Sequence, residues 1–179
     1  MRFLTVILSI CMIFSLAACE SSPAGTPEDT TASTTEATPP VEDESVLKFT
    51  ATDIFGNSVS EKDVGEKDFY FIYLWATWCP PCIQGMPDLA SIAREYGDRV
   101  GFIGLLTDYD SNLEGAVNIV ESSGVPSAFV MIDAYEQSVS DLLEAVQTGF
   151  VPATIILTAD GEYLPIEKPY RARLNEILS

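Results

Sequence analysis

Residues 69–82, Phe69-Tyr70-Phe71-Ile72-Tyr73-Leu74-Trp75-Ala76-Thr77-Trp78-Cys79-Pro80-Pro81-Cys82, decide how the rest of the chain is read. The first six are aromatic or branched aliphatic with almost no polar interruption, the pattern of a central strand buried on both faces. Ile83-Gln84-Gly85-Met86-Pro87-Asp88-Leu89 then takes up helix-like spacing. Pro80 and Pro81 suit a first helical turn, where no backbone donor is needed. Strand, tight loop and helix start therefore meet at two cysteines. At a helix N-terminus the dipole and the unpaired N–H groups favour thiolate over thiol. Cys79 is thus expected to have a depressed pKa and to be the exposed nucleophile of a Cys-x-x-Cys pair. Cys82, one turn later, is expected to face inward as the resolving thiol.

Other uses of the pair are less well served. A zinc site needs two further ligands, but the chain has no histidine, and its other cysteines, Cys11 and Cys19, lie in the N-terminal segment. No metal and no cofactor are therefore expected. A purely structural disulfide between residues three apart closes a tiny loop and constrains little of the unfolded chain. Redox chemistry makes better use of this spacing.

Trp75-Ala76-Thr77-Trp78-Cys79-Pro80-Pro81-Cys82, followed by Met86-Pro87-Asp88-Leu89, resembles the active site of the thioredoxin-fold thiol:disulfide oxidoreductases of the TlpA/ResA type. Those proteins are extracytoplasmic and often membrane-tethered. The resemblance spans about residues 46–179 and is strongest at the motif and at Val151-Pro152-Ala153-Thr154. It implies an α/β, thioredoxin-like fold: a central mixed sheet flanked by helices, with an N-terminal β-hairpin and a strand-helix insertion before a cis-proline strand. It also implies that Pro152 is that cis-proline, lying beside the cysteines, and that Pro87 is the proline that kinks the active-site helix. Trp75, Trp78, Pro80, Pro81, Val151 and Pro152 would shape or support an apolar client groove. Partners would be client proteins with disulfides and a membrane electron-transfer protein.

Two positions depart from that family's pattern. Its members place a carboxylate near the buried cysteine, on the strand before the motif or three residues after the second cysteine, where it can take the resolving thiol's proton. Here those positions hold Tyr73 and Gly85. Tyrosine loses its proton only near pH 10 and glycine has no side chain, so neither does that work at neutral pH. Either water, or another carboxylate such as Asp88 or an acid of the inserted segment, substitutes, or the resolving step is slow.

The N-terminus reads as a separate story. Arg2 is the only charge before an apolar run, Phe3 to Leu16, which ends in Leu16-Ala17-Ala18-Cys19. The run is short for a membrane span, and small residues directly before a cysteine resemble the bacterial lipobox. Residues 1–18 are read as a lipoprotein signal peptide and Cys19 as the lipidated first residue of the mature protein. Residues 20–45 carry Ser, Thr, Pro, Ala and acids with no aromatic and no basic residue, so they cannot bury enough apolar surface to fold. With Cys19 they form an acidic tether. Its reach is about 30 Å as a flexible coil and about 80 Å if extended.

Residues 46–179 are long enough for one domain with a sizeable core. Lys48 to Asp53 and Asn57 to Ser60 flank a turn-prone Asp53-Ile54-Phe55-Gly56 and predict a hairpin. After the strand at 69–75, the spacing predicts helices over 83–96, 113–122, 139–146 and 170–178, and strands over 100–106, 127–132, 153–157 and 162–164. Alternating strands and helices imply a sheet covered on both faces. The piece 125–148 matches the insertion that the resemblance implies. Without Arg2 and the seven acids of residues 20–45, the domain keeps eight basic and twenty acidic residues, a poor partner for nucleic acid or anionic lipid.

The function expected is therefore a thiol:disulfide oxidoreductase, lipid-anchored through Cys19 on the outer face of a bacterial cell membrane. It would reduce client disulfides through Cys79 and Cys82. A disulfide-donating oxidase on the same fold and a non-catalytic thioredoxin-like binding module remain alternatives, and a peroxide-reducing enzyme would need a peroxidatic cysteine in another motif context.

Overall fold

The computed structural model describes residues 46–179. The signal peptide, the lipidation at Cys19 and the tether expected from the sequence lie outside these residues. Among the described residues no helix is long and apolar enough to cross a membrane.

The chain enters through a hairpin, β1 (Thr50–Thr52) and β2 (Ser58–Ser60), paired antiparallel with Ala51 opposite Val59. Its turn is held by Asp53, whose carboxylate accepts from the N–H groups of Phe55 at 2.9 Å and Asn57 at 2.7 Å. A one-turn helix follows, α1 (Glu61–Val64), which the spacing did not predict. Its signature was nevertheless present. Ser60 and Asp63 form a capping box, in which each side chain satisfies the other's backbone donor.

The main sheet has the order β5-β4-β3-β6-β7, built from β3 (Phe69–Trp75), β4 (Val100–Leu106), β5 (Phe129–Asp133), β6 (Ala153–Thr158) and β7 (Tyr163–Pro165). Strand β3 lies at the centre, parallel to β4 and antiparallel to β6, so the sheet is mixed as expected. The longer helices are α2 (Pro80–Tyr96), α3 (Tyr109–Ser122), α4 (Ser140–Val146) and α5 (Tyr170–Leu178). Strand β5 and helix α4 occupy the expected insertion before β6.

Because side chains alternate along a strand, β3 serves two cores at once. Phe71, Tyr73 and Trp75 join Met86, Leu89 and Ile92 of α2, Ala116 and Val120 of α3, and Tyr170 and Leu174 of α5 on one face. Tyr70, Ile72 and Leu74 join the hairpin, Val64 of α1, and Leu142 and Val146 of α4 on the other. Each large apolar side chain so buried stabilises the fold by about 1.5–3 kcal/mol before chain entropy is counted. Both cysteines belong to the first core.

Helix α2 begins at Pro80, with Pro80 and Pro81 in its first turn as expected. One helix starts earlier than expected. Helix α3 begins at Tyr109, but Asn112 within it has the non-helical angles φ −152° and ψ 46°, so regular apolar spacing resumes only beyond that kink.

Candidate active site

Strand β3 delivers Trp75 to the end of the sheet, and residues 76–78 turn the chain into α2. The turn closes with a hydrogen bond from Cys79 N–H to the Ala76 carbonyl at 3.2 Å. Cys79 is the N-cap of α2, and its carbonyl accepts from the N–H groups of Cys82 (3.0 Å) and Ile83 (3.1 Å). The Cys82 N–H also points at the Cys79 sulfur, 3.2 Å away. The helix thus aims a backbone donor and the positive end of its dipole at this sulfur, an arrangement that favours thiolate when the pair is reduced. In the structure the two sulfurs are bonded, with Cα atoms 5.3 Å apart. Three-residue spacing across a first helical turn makes the bond reachable without moving either backbone segment.

Burial differs from expectation at one cysteine. Cys82 is fully shielded as anticipated, but Cys79 is also buried, with only 2% of its surface exposed. In the bonded form its sulfur is turned toward Cys82, and the residue packs within the cluster that holds Trp75 and Met86. The exposed residues of the motif are Trp78, Pro80 and Pro81 instead.

The two tryptophans part company. Trp78 is 67% exposed, whereas Trp75 is completely buried. The Trp75 indole N–H finds no acceptor among the described residues. Trp75 is therefore closed off in the core, and of the two only Trp78 presents surface to solvent. The expected Val151-Pro152 peptide is cis, and β6 begins at Ala153, opposite Leu74 in the register with β3. That register puts Val151-Pro152 at the end of the sheet where β3 runs into the motif. Phe150, just before it, is 68% exposed and had not been singled out. A second cis peptide, Lys168-Pro169, was not expected either.

A carboxylate holds the motif loop, at a place the sequence pattern did not mark. Asp108, in the segment after β4, accepts from Thr77 N–H at 3.1 Å and from the Thr77 hydroxyl. Asn112 completes the network by donating to the same hydroxyl at 2.7 Å. Alongside, Trp75 O accepts from Thr107 N–H at 3.0 Å. The loop between β3 and Cys79 is therefore fastened to the end of β4. Asp108 precedes a helix, so its residue type fits an N-cap, but only the fold reveals that it grips a loop 31 positions away.

The positions where the resemblance led us to look for a carboxylate hold something else. Tyr73 is buried and its hydroxyl donates to the Cys82 carbonyl at 3.4 Å. Burial, reinforced by Tyr170, pushes its pKa well above the ordinary tyrosine value, so it stays a neutral donor. Gly85 is buried, and a Cβ there would lie 3.2 Å from the Lys168 ammonium. Asp88, named as a substitute for that carboxylate, lies on the exposed side of α2 and pairs with Arg171 at 2.8 Å. Among the described residues no cluster of Cys, Asp and Glu could hold a metal ion.

The Redoxin family model matches residues 36–169. The "Thiol-disulfide oxidoreductase ResA" of Bacillus thuringiensis is 26% identical over 114 residues, covering 64% of this chain and 62% of that protein. The chain thus matches less than two thirds of that relative's length. A thioredoxin-like protein of Synechocystis is 33% identical over 63 residues, 35% of this chain and 55% of that one. Among solved structures, a thioredoxin-family thiol:disulfide interchange protein of Chlorobium tepidum superposes with a TM-score of 0.58 at 20% identity, covering 74% of this chain and 94% of that one. StoA of Bacillus subtilis gives 0.52 at 19% identity, with 73% and 96% covered. The expected thioredoxin-like fold is the one observed.

Proposed function

Because the chain belongs to the Redoxin family, we propose that it is an extracytoplasmic thiol:disulfide oxidoreductase that reduces client disulfides through Cys79 and Cys82. The observation that carries this reading is the sulfur pair itself, with Cys79 as N-cap of α2 and Cys82 sealed one turn behind it. In the reaction the Cys79 thiolate attacks one sulfur of a client disulfide. The client S–S bond breaks, a mixed disulfide forms, and the first client sulfur leaves as a thiolate that takes up a proton. Cys82, after losing its proton, attacks the Cys79 sulfur, the mixed disulfide breaks, and the second client sulfur leaves. Two electrons have passed to the client, and Cys79 and Cys82 are bonded as in the structure. A thiol donor then restores them.

Trp78 and Val151-Pro152 supply the client surface in this reading, with Trp75, Pro80 and Pro81 supporting it. No loop hydrogen bond among the described residues engages the Val151 N–H or carbonyl, which suits pairing with an extended client backbone. The Leu16-Ala17-Ala18-Cys19 stretch supports lipid anchoring at Cys19 on the outer face of the bacterial membrane, beside a membrane electron donor. Acyl mass on Cys19 in the intact mature protein is the expected result, and its absence removes the anchor from the proposal.

Insulin reduction driven by dithiothreitol tests the activity. The wild-type chain should accelerate it and Cys79→Ser should not; no acceleration by the wild type would leave a binding module as the better account. Equilibration with glutathione tests direction. A reductase poises near thioredoxin's value of about −270 mV, and a potential above roughly −150 mV would make the protein a disulfide donor.

A further inference from the structure

Lys168 lies in the segment between β7 and α5, outside every motif read from the sequence. Its ammonium occupies the space beside Gly85, where a Cβ would be 3.2 Å away, and stands 5.8 Å from the centre of the Tyr170 ring. Gly85 is three residues beyond Cys82 on α2, and side chains at that spacing share a helix face with Cβ atoms about 5–6 Å apart. The ammonium is therefore no more than about 9 Å from the Cys82 Cβ. The other groups around Cys82 are neutral. Tyr73 donates to the Cys82 carbonyl from β3, and from α5 the Tyr170 hydroxyl is tied to Thr154, the residue opposite Tyr73 in β6. Burial raises the pKa of both tyrosines, so neither contributes a negative charge near neutral pH. Three of the acids nearby are already paired: Asp88 and Glu95 of α2 with Arg171, and Glu176 with Arg173. Glu167 lines the same surface cleft as Lys168, yet no ion pair among the described residues involves Lys168.

We propose that Lys168 is a positioning residue for the resolving step: its positive charge, admitted by the missing side chain at Gly85, stabilises the Cys82 thiolate. Where a carboxylate would carry the proton away, a cation lowers the cost of leaving the thiolate behind. The Cys82 proton goes to water, the thiolate attacks the Cys79 sulfur, the Cys79–client bond breaks, and the client sulfur departs with the electron pair. This role deepens the reductase reading and depends on it for its biological meaning, while the charge effect on Cys82 is measurable by itself.

The test uses the Cys79→Ser protein, in which Cys82 is the only thiol of residues 46–179, and follows thiolate absorbance in the ultraviolet against pH. Lys168→Met should raise the Cys82 ionisation midpoint by about half a pH unit, roughly threefold in the ionisation constant, and added salt should shrink the difference. Lys168→Arg should keep the wild-type midpoint. In the two-cysteine protein, Lys168→Met should slow release of a preformed mixed disulfide by a similar factor below that midpoint and leave formation of the mixed disulfide unaltered. An unmoved midpoint in Lys168→Met, or an equal shift in Lys168→Arg, overturns the proposal. Lys168 is exposed, so both variants should fold. If the midpoint moves as expected but the wild type reduces no disulfide, the reductase reading fails while the electrostatic role of Lys168 stands.

Discussion

Cys79 and Cys82 differ by their neighbours more than by their depth. The sulfur of Cys79 faces a backbone N–H and the start of α2; that of Cys82 is sealed in the core, with Tyr73 donating to its carbonyl. On the proposed reading Cys79, beside the exposed Trp78, is the sulfur that meets a client after reduction. Cys82→Ser should accordingly trap a mixed disulfide between Cys79 and a client peptide, seen as added mass that dithiothreitol removes. Cys79→Ser should trap none, and faster trapping at Cys82 would reverse the two roles. The cysteines and prolines were legible from their order in the chain. Lys168 was not, because its position depends on a buried glycine 83 residues earlier that leaves room for it, and no local pattern records such a vacancy between distant segments.

At the scale of elements, the strand-loop-helix unit is fastened from outside. Asp108 grips the backbone and hydroxyl of Thr77, and Asn112 leaves helical geometry to reach the same hydroxyl. Asp108→Ala leaves the Thr77 donors without this acceptor, which should cost about 1–3 kcal/mol, read as a lower thermal midpoint. Asp108→Asn keeps an acceptor and should lose less. Faster alkylation of reduced Cys79 should accompany the loss in Asp108→Ala, since the loop before it is loosened; unchanged stability and labelling would show that the loop holds itself. The apolar runs of β3 and β4 announced themselves because burial on both faces permits little else. Helix α1 and the first turn of α3 did not, since one is a single capped turn and the other is broken by Asn112. Gly101 and Gly104 likewise mean something only in the sheet, where Tyr70 and Val64 crowd one and Met131 the other.

For the whole molecule, the sheet divides two cores, and the one with the cysteines also buries Tyr73 and Tyr170. Both tyrosines have pKa values raised chiefly by burial above the ordinary 10.0. Below pH 10 folded and unfolded chains hold these protons equally. Above it the unfolded chain releases them and the folded chain does not, so stability falls as pH rises, by about 1.4 kcal/mol per pH unit for each tyrosine affected. Urea midpoints measured from pH 8 upward should drop beyond pH 10, and Tyr73→Phe should flatten the drop; a slope unchanged by that substitution would remove Tyr73 from the explanation. The hairpin ahead of the sheet has a further consequence. Strand β5 ends the sheet on one side, and there Asp53 bridges Ile132, while Ile54 N–H donates to the Met131 carbonyl at 2.9 Å. These contacts cover part of an edge that would otherwise offer a row of backbone donors and acceptors to any passing strand. A chain trimmed to begin after Ser60 should thus be prone to stack with copies of itself, and light scattering that stays monomeric would show the edge to be harmless. The same short ribbon that opens the domain is what keeps crowded copies of it from sticking together.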